Sequence, residues 1–101
     1  MIKTRNTYIP NAFSPNDDGV NDAFTIYGDR AVKQIRNLKV FSRWGELVFE
    51  RSEFPAGNPK YGWDGTFRGK ELQAGVYVWL AEIELLDGER MSAEGDVLIV
   101  R

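Results

Sequence analysis

Between residues 75 and 86 the chain reads GVYVWLAEIELL, twelve residues with no proline and no internal glycine. Valine, tyrosine and tryptophan crowd its first half, and such side chains suit a pleated strand. Side chains along a strand point to two faces in turn. Tyr77, Trp79, Ala81, Ile83 and Leu85 therefore share one face, and Val76, Val78 and Leu80 share the other with Glu82 and Glu84. The first face is apolar throughout. The second is apolar only as far as Leu80. The first half of the strand is thus expected to be covered on both sides and the second half to be solvated on one.

The same period of two recurs elsewhere. In IRNLKVFSRWGELVFERS, Leu38 and Val40 alternate with Lys39 and Phe41, and beyond the RWG break Leu47 and Phe49 alternate with Val48 and Glu50. This predicts two strands joined by a tight hairpin, with Gly45 supplying a positive φ. DGER predicts a turn centred on Asp87 and Gly88. RMSAEGDVLIVR returns as the last strand, with Gly95 marking a bulge. TYIPNAF, DAFTIYG and WDGTFRG are shorter strand candidates. In DRAVKQIRNL the apolar residues Ala31, Val32, Ile35 and Leu38 fit helical spacing, but no stop signal follows, so the segment reads as a short turn. EFPAGNPKYG, with its prolines and glycines, reads as a loop. About seven strands separated by Gly, Asp, Asn and Pro turns predict an all-β, antiparallel β-sandwich.

Composition removes several function classes. The 101 residues fit one domain over 1–101, with residues 1–8 read as a linker or an artificial start. A chain of this size buries roughly two thirds of its unfolded surface, enough for a core without disulfides. A net charge of -2 argues against nucleic acid. Cysteine and histidine are both missing, which removes thiolate zinc sites, Ser-His-Asp and Cys-His catalysis and the commonest general base. No apolar run reaches the roughly 20 residues of a membrane helix. The first ten residues, MIKTRNTYIP, lack the apolar stretch of a secretory leader, so either the chain stays inside the cell or it is a domain cut from a longer precursor.

The densest cluster of polar chemistry is SPNDDGVND, residues 14–22. Calcium loops place oxygen ligands at alternate positions around a glycine. With Gly19 as that glycine, Asn16, Asp18 and Asp22 fall on ligand positions, but Ser14 and Thr25 stand where carboxylates belong. Turn chemistry accounts for the stretch more simply, since Pro15 sets φ, Gly19 permits a positive φ, and Asn and Asp side chains bond their own backbone. The expected cofactor set is therefore none, with calcium at Asn16, Asp18 and Asp22 as the alternative. The carboxylates Asp17, Asp18, Asp22 and Asp64 do not suggest the buried, shifted acid that glycoside hydrolysis needs, and no catalytic residue is assigned. Trp79 belongs to the core, while Trp44 and Trp63 lie in turns and are read as packing at the edge of the core. A platform of Trp44, Trp63 and Tyr61 would instead suit a carbohydrate-binding or adhesin module.

Three segments together resemble the gliding-motility-associated C-terminal domain: IPNAFSPNDDGVNDAFTIYG, KVFSRWGELVFE and WDGTFRGKELQAGVYVW. The likeness runs from about Ile9 to Arg101. One departure is Asp17, where the family often has glycine. The resemblance implies an Ig-like sandwich that serves as a type B sorting signal of the type IX secretion system of Bacteroidetes-type bacteria. It implies a non-enzymatic domain attached behind an upstream cargo, with partners in the type IX translocon and among PorP/SprF-type outer-membrane proteins. It also implies passage through the periplasm and outer membrane to a secreted or cell-surface destination. The residues expected to be read by those partners are Asn16, Asp17, Asp18, Gly19, Asn21 and Asp22, the turn Arg43, Trp44 and Gly45, and the end Val97, Leu98, Ile99, Val100 and Arg101. If that terminal strand lies at the rim, it can add to a partner's sheet edge.

Overall fold

The computed structural model describes residues 7–15 and 22–100, together with the backbone of Ile2–Thr4. The strands in chain order are β1 Ile2–Thr4, β2 Thr7–Ile9, β3 Ala12–Phe13, β4 Tyr27–Gly28, β5 Val32–Phe41, β6 Leu47–Phe54, β7 Thr66–Phe67, β8 Lys70–Glu71, β9 Gly75–Leu85 and β10 Arg90–Ile99. A 3₁₀ turn covers Pro59–Tyr61, and the described residues contain no α-helix. The protein is all-β and sandwich-like, as its alternating pattern predicts. One sheet has five strands in the order β3-β10-β9-β5-β6, and a smaller one has the order β1-β2-β4. Strands β7 and β8 form a two-stranded ribbon.

One pairing departs from the expected antiparallel arrangement: β3 runs parallel to β10, matching Ala12 with Leu98 and Phe13 with Ile99. The first part of the chain thus serves both sheets. β2 pairs in the small sheet, and β3 joins the large one two residues later. Pro10 stands at the switch, where its missing N–H and fixed φ end one ladder.

β9 lies at the centre of the large sheet, between β5 and β10. Its inner face, Tyr77, Trp79, Ala81, Ile83 and Leu85, is buried, as alternation requires. Ile9, Phe13, Phe24, Ile26, Phe54 and Trp63 are among the residues that pack with it in the core. The ring of Phe24 lies 5.9 Å from that of Trp79, and the ring of Trp63 lies 5.2 Å from that of Tyr77. Phe24 and Trp63 also form an antiparallel bridge, with reciprocal N–H to O bonds of 2.7 and 2.9 Å.

Three local expectations are corrected. The segment 29–38 is not a lone turn. Beyond a turn at Arg30 and Ala31 it becomes β5, which slips register against β9 between Val32 and Gln34 and again between Ile35 and Asn37. Each slip inserts an extra residue, so Ile35 and Leu38, three apart, both reach the core. Two bulges thus imitate a helical period. Gly95 is not a bulge: it sits opposite Trp79 in an unbroken ladder, a position without a side chain across from a fully buried indole. Finally, the outer face of β9 is not covered. Val76 is 47% exposed and Leu80 39%, because only one face of the large sheet is packed by the described residues.

Candidate functional site

β5 and β6 are joined by residues 42–46, SRWGE. Ser42 organises this connection. Its N–H donates to the Glu46 carbonyl at 2.8 Å, and its carbonyl accepts from Gly45 at 2.9 Å. Its hydroxyl oxygen accepts from the N–H groups of Trp44 and Glu46, each at 3.2 Å. Gly45 takes φ +86°, the conformation that favours glycine. The turn is therefore held by four hydrogen bonds while its central side chain points outward. Trp44 is 87% exposed, which corrects the edge-of-core expectation. The Arg43 guanidinium lies 6.0 Å from the Trp44 ring, at the limit of cation–π attraction.

A cleft of about 360 Å³ separates this hairpin from the chain entering β9, with Arg43, Trp44, Leu72, Gln73 and Tyr77 among its walls. The Tyr77 hydroxyl donates to the Gln73 carbonyl at 2.9 Å and fixes the far wall. Gly75 has φ +143°, and a Cβ there would come within 3.4 Å of Arg43 Nη2.

Apolar residues continue from the hairpin onto the outer sheet face. Phe41 pairs with both Leu47 and Val78, and Val76 pairs with Leu98. Leu47, Val76, Val78, Leu98 and Val100 are all exposed. They make a band across four strands at the end of the sheet that carries Trp44. The other end of the same face is charged and internally paired. Glu84 accepts from Gln34 Nε2 at 2.8 Å and lies 3.8 Å from Lys33 and 3.5 Å from Arg36. The Gln34 hydrogen bond, ahead of the two cations and against the opposing effect of burial, holds the Glu84 carboxyl below its ordinary 4.5. Arg90–Glu82 and Lys39–Glu50 add pairs at 3.6 and 3.8 Å.

Of the residues singled out in the sequence, Asn16, Asp17, Asp18, Gly19, Asn21 and Arg101 lie outside the described residues. Asp22 is half-buried at the start of the segment leading to Phe24. Thr25, where a calcium loop needs its bidentate acid, is fully buried. Among the described residues no group of three acidic side chains is placed to hold a metal. The structure brings Arg43, Trp44 and Gly45 to one end of the sheet with Leu98 and Val100. Val97 and Ile99 face the core instead. The end of β10 is also not a free rim, because Leu98 and Val100 donate to the Asn11 and Phe13 carbonyls, both at 2.9 Å. Removing residues 97–101 would delete two core side chains and so test folding rather than recognition.

The platform of three rings that the alternative reading needs is absent. Trp63 is fully buried with Nε1 donating to the Thr66 carbonyl at 3.0 Å, and Tyr61 is half-buried against Phe54 at 6.3 Å. Sequence reasoning missed the exposed band of Val76, Val78 and Leu80. The available signal was valine and leucine on the strand face that later carries glutamates.

These features define a β-sandwich domain of the Ig-like class. Its family follows from comparison: the model of the CHU_C Type IX secretion signal domain matches residues 7–99, and the chain belongs to that family. None of the curated proteins compared with the chain matches it. Membership supports a secretion-signal role, with export of what is attached and interaction with the secretion machinery. Among the described residues no helix is long and apolar enough to cross a membrane.

Proposed function

We propose that this domain is a non-catalytic C-terminal signal that directs an attached cargo protein through the periplasm and across the outer membrane. The cargo lies upstream, and its destination is the cell surface or the medium. The readers are the type IX translocon and PorP/SprF-type outer-membrane proteins, and they contact the Trp44 hairpin with the band of Leu47, Val76, Val78, Leu98 and Val100. Residues Asn16 to Asp22 and Arg101 are further contacts in this proposal.

The observation that carries this reading is the exposed indole of Trp44 on a hairpin held by its own hydrogen bonds. An exposed tryptophan on a rigid turn contributes little to the fold, and buried in a partner it contributes on the order of 2 kcal/mol or more. The adjoining valines and leucines extend the apolar contact, while the ion-paired half of the face stays solvated.

The test is a reporter fused ahead of the domain in a host that carries the secretion system. The intact domain exports the reporter. Trp44→Ala lowers export while folding stability stays within about 0.5 kcal/mol, as expected for an exposed position. Failure of the intact fusion to leave the cell overturns the signal reading. Wild-type export by Trp44→Ala overturns the assignment of the hairpin.

A further inference from the structure

The large sheet has an open edge that its ends conceal. β10 pairs with β9 from Arg90 to Ile99, but on its other side β3 matches only Leu98 and Ile99. Among the described residues nothing pairs with that side from Arg90 to Asp96. Backbone groups alternate in direction along a strand. The N–H groups of Leu98 and Val100 point to β3, so those of Ser92, Glu94 and Asp96, with their carbonyls, point to the same open side. At about 3.3 Å per residue the free edge is roughly 20 Å long, enough for a short strand.

The side chains around this edge state what it can take. On the outer face Glu94 and Asp96 are exposed and no cation among the described residues pairs with either, whereas Glu82 and Glu84 on the neighbouring strand both have cationic partners. On the inner face Met91, Ala93 and Gly95 are only half-buried. An added strand would therefore meet two unpaired carboxylates on one face and a partly covered apolar rim on the other. A second copy of this chain fits poorly. Antiparallel pairing centred on residue 94 sets Glu94 against Glu94, pairing centred on residue 95 sets Glu94 against Asp96, and registers centred on 92 or 93 offer only Arg90, which already pairs with Glu82 at 3.6 Å. Like charges directly opposite destabilise a pair of strands.

We infer that the edge of β10 from Arg90 to Asp96 receives an extended segment of another protein, in which basic residues facing Glu94 and Asp96 alternate with apolar residues facing Met91 and Ala93. Backbone hydrogen bonds to Ser92, Glu94 and Asp96 supply the attachment, and the charges select the register. The inference concerns a different surface from the Trp44 hairpin and stands without the export reading.

The probe is a seven-residue peptide of alternating lysine and valine, N-methylated along one edge so that it cannot stack on itself. Amide hydrogen exchange of the whole domain is measured by NMR with and without the peptide at millimolar concentration. The amides of Ser92, Glu94 and Asp96 are expected to slow by tenfold or more, with those of Leu98 and Val100 unchanged. The matching glutamate–valine peptide is expected to leave all of them unchanged. Glu94→Pro removes an outward N–H without touching the β9 ladder and abolishes the protection. The double variant Glu94→Lys, Asp96→Lys keeps every backbone group and reverses the preference between the two peptides. No slowing with the lysine peptide, equal slowing with both peptides, or an unchanged preference in the double variant overturns the inference.

Discussion

Replacing Trp63 by alanine separates the two turn tryptophans. The Trp63 indole is fully buried, its ring lies 5.4 Å from Phe13 and 5.2 Å from Tyr77, and Nε1 donates to the Thr66 carbonyl at 3.0 Å. Truncating a buried tryptophan to alanine costs about 3–5 kcal/mol, because the surrounding groups close the hole only in part. The Thr66 carbonyl is half-buried, and water entering the hole replaces much of its lost hydrogen bond, so about 4 kcal/mol is the expected total. A domain of this size has a net stability of roughly 5–15 kcal/mol, so a large share is lost. At about 4–8 °C per kcal/mol, Tm falls by about 15–30 °C. Thermal melts followed by circular dichroism measure the shift, and urea titration shows whether the slope stays constant, as it must if only stability changes. Trp63→Phe keeps an aromatic ring and is expected to cost about 1–2 kcal/mol. A fall in Tm below about 5 °C for the alanine variant would mean that the indole does not anchor the core, and the reasoning would fail.

Three further outcomes are expected. In Gly62→Ala the new Cβ would stand 2.6 Å from the Phe24 carbonyl oxygen and force the Phe24–Trp63 bridge apart, with a loss of about 1–3 kcal/mol in urea titrations. Glu84 titrates below its ordinary 4.5 when folded, so its stabilising contribution is complete above that value and disappears as pH falls through the lower folded value. Glu84→Gln is therefore expected to lower Tm at pH 7 and to flatten the loss of Tm on acidification, and an identical acid limb in both proteins refutes this. The third concerns calcium. With Thr25 buried where a ligand is needed, Tm is expected to be the same in EDTA and in millimolar calcium, and a rise that follows the logarithm of calcium concentration would show that the native state binds the ion.

Much of the fold was legible in the sequence because strand alternation is a local property. The buried set on β9, the Arg43–Gly45 hairpin and the Asp87–Gly88 turn each follow from a few neighbouring residues. Gly88 takes φ +90°, and the Asp87 carboxylate accepts from the Glu89 N–H at 2.9 Å. The errors share one cause, since each depended on which strand lies alongside. The apolar spacing of Ile35 and Leu38 looked helical because register slips against β9 cannot be seen in β5 alone. Whether the end of β10 lies at a rim was left open, because nothing local shows that Ala12 and Phe13 return to cover it. In the sequence Trp44 and Trp63 both read as turn residues beside a glycine. One became surface and the other core only through the bridge from Trp63 to Phe24 on a distant segment.

By itself the sequence determined the period of β9, the positions of the principal turns and the motifs shared with type IX secretion signals. Those depend on residue types and their spacing within a dozen positions, and side-chain alternation is set by backbone stereochemistry. Tertiary structure alone decided that the second face of β9, apolar as far as Leu80, would stay uncovered. The inner residues of β9 meet Phe24, Trp63 and the small sheet, while Val76, Val78 and Leu80 meet no described residue above them. Alternation separates the two faces of a strand, and only packing against distant residues makes one of them the core and leaves the other exposed.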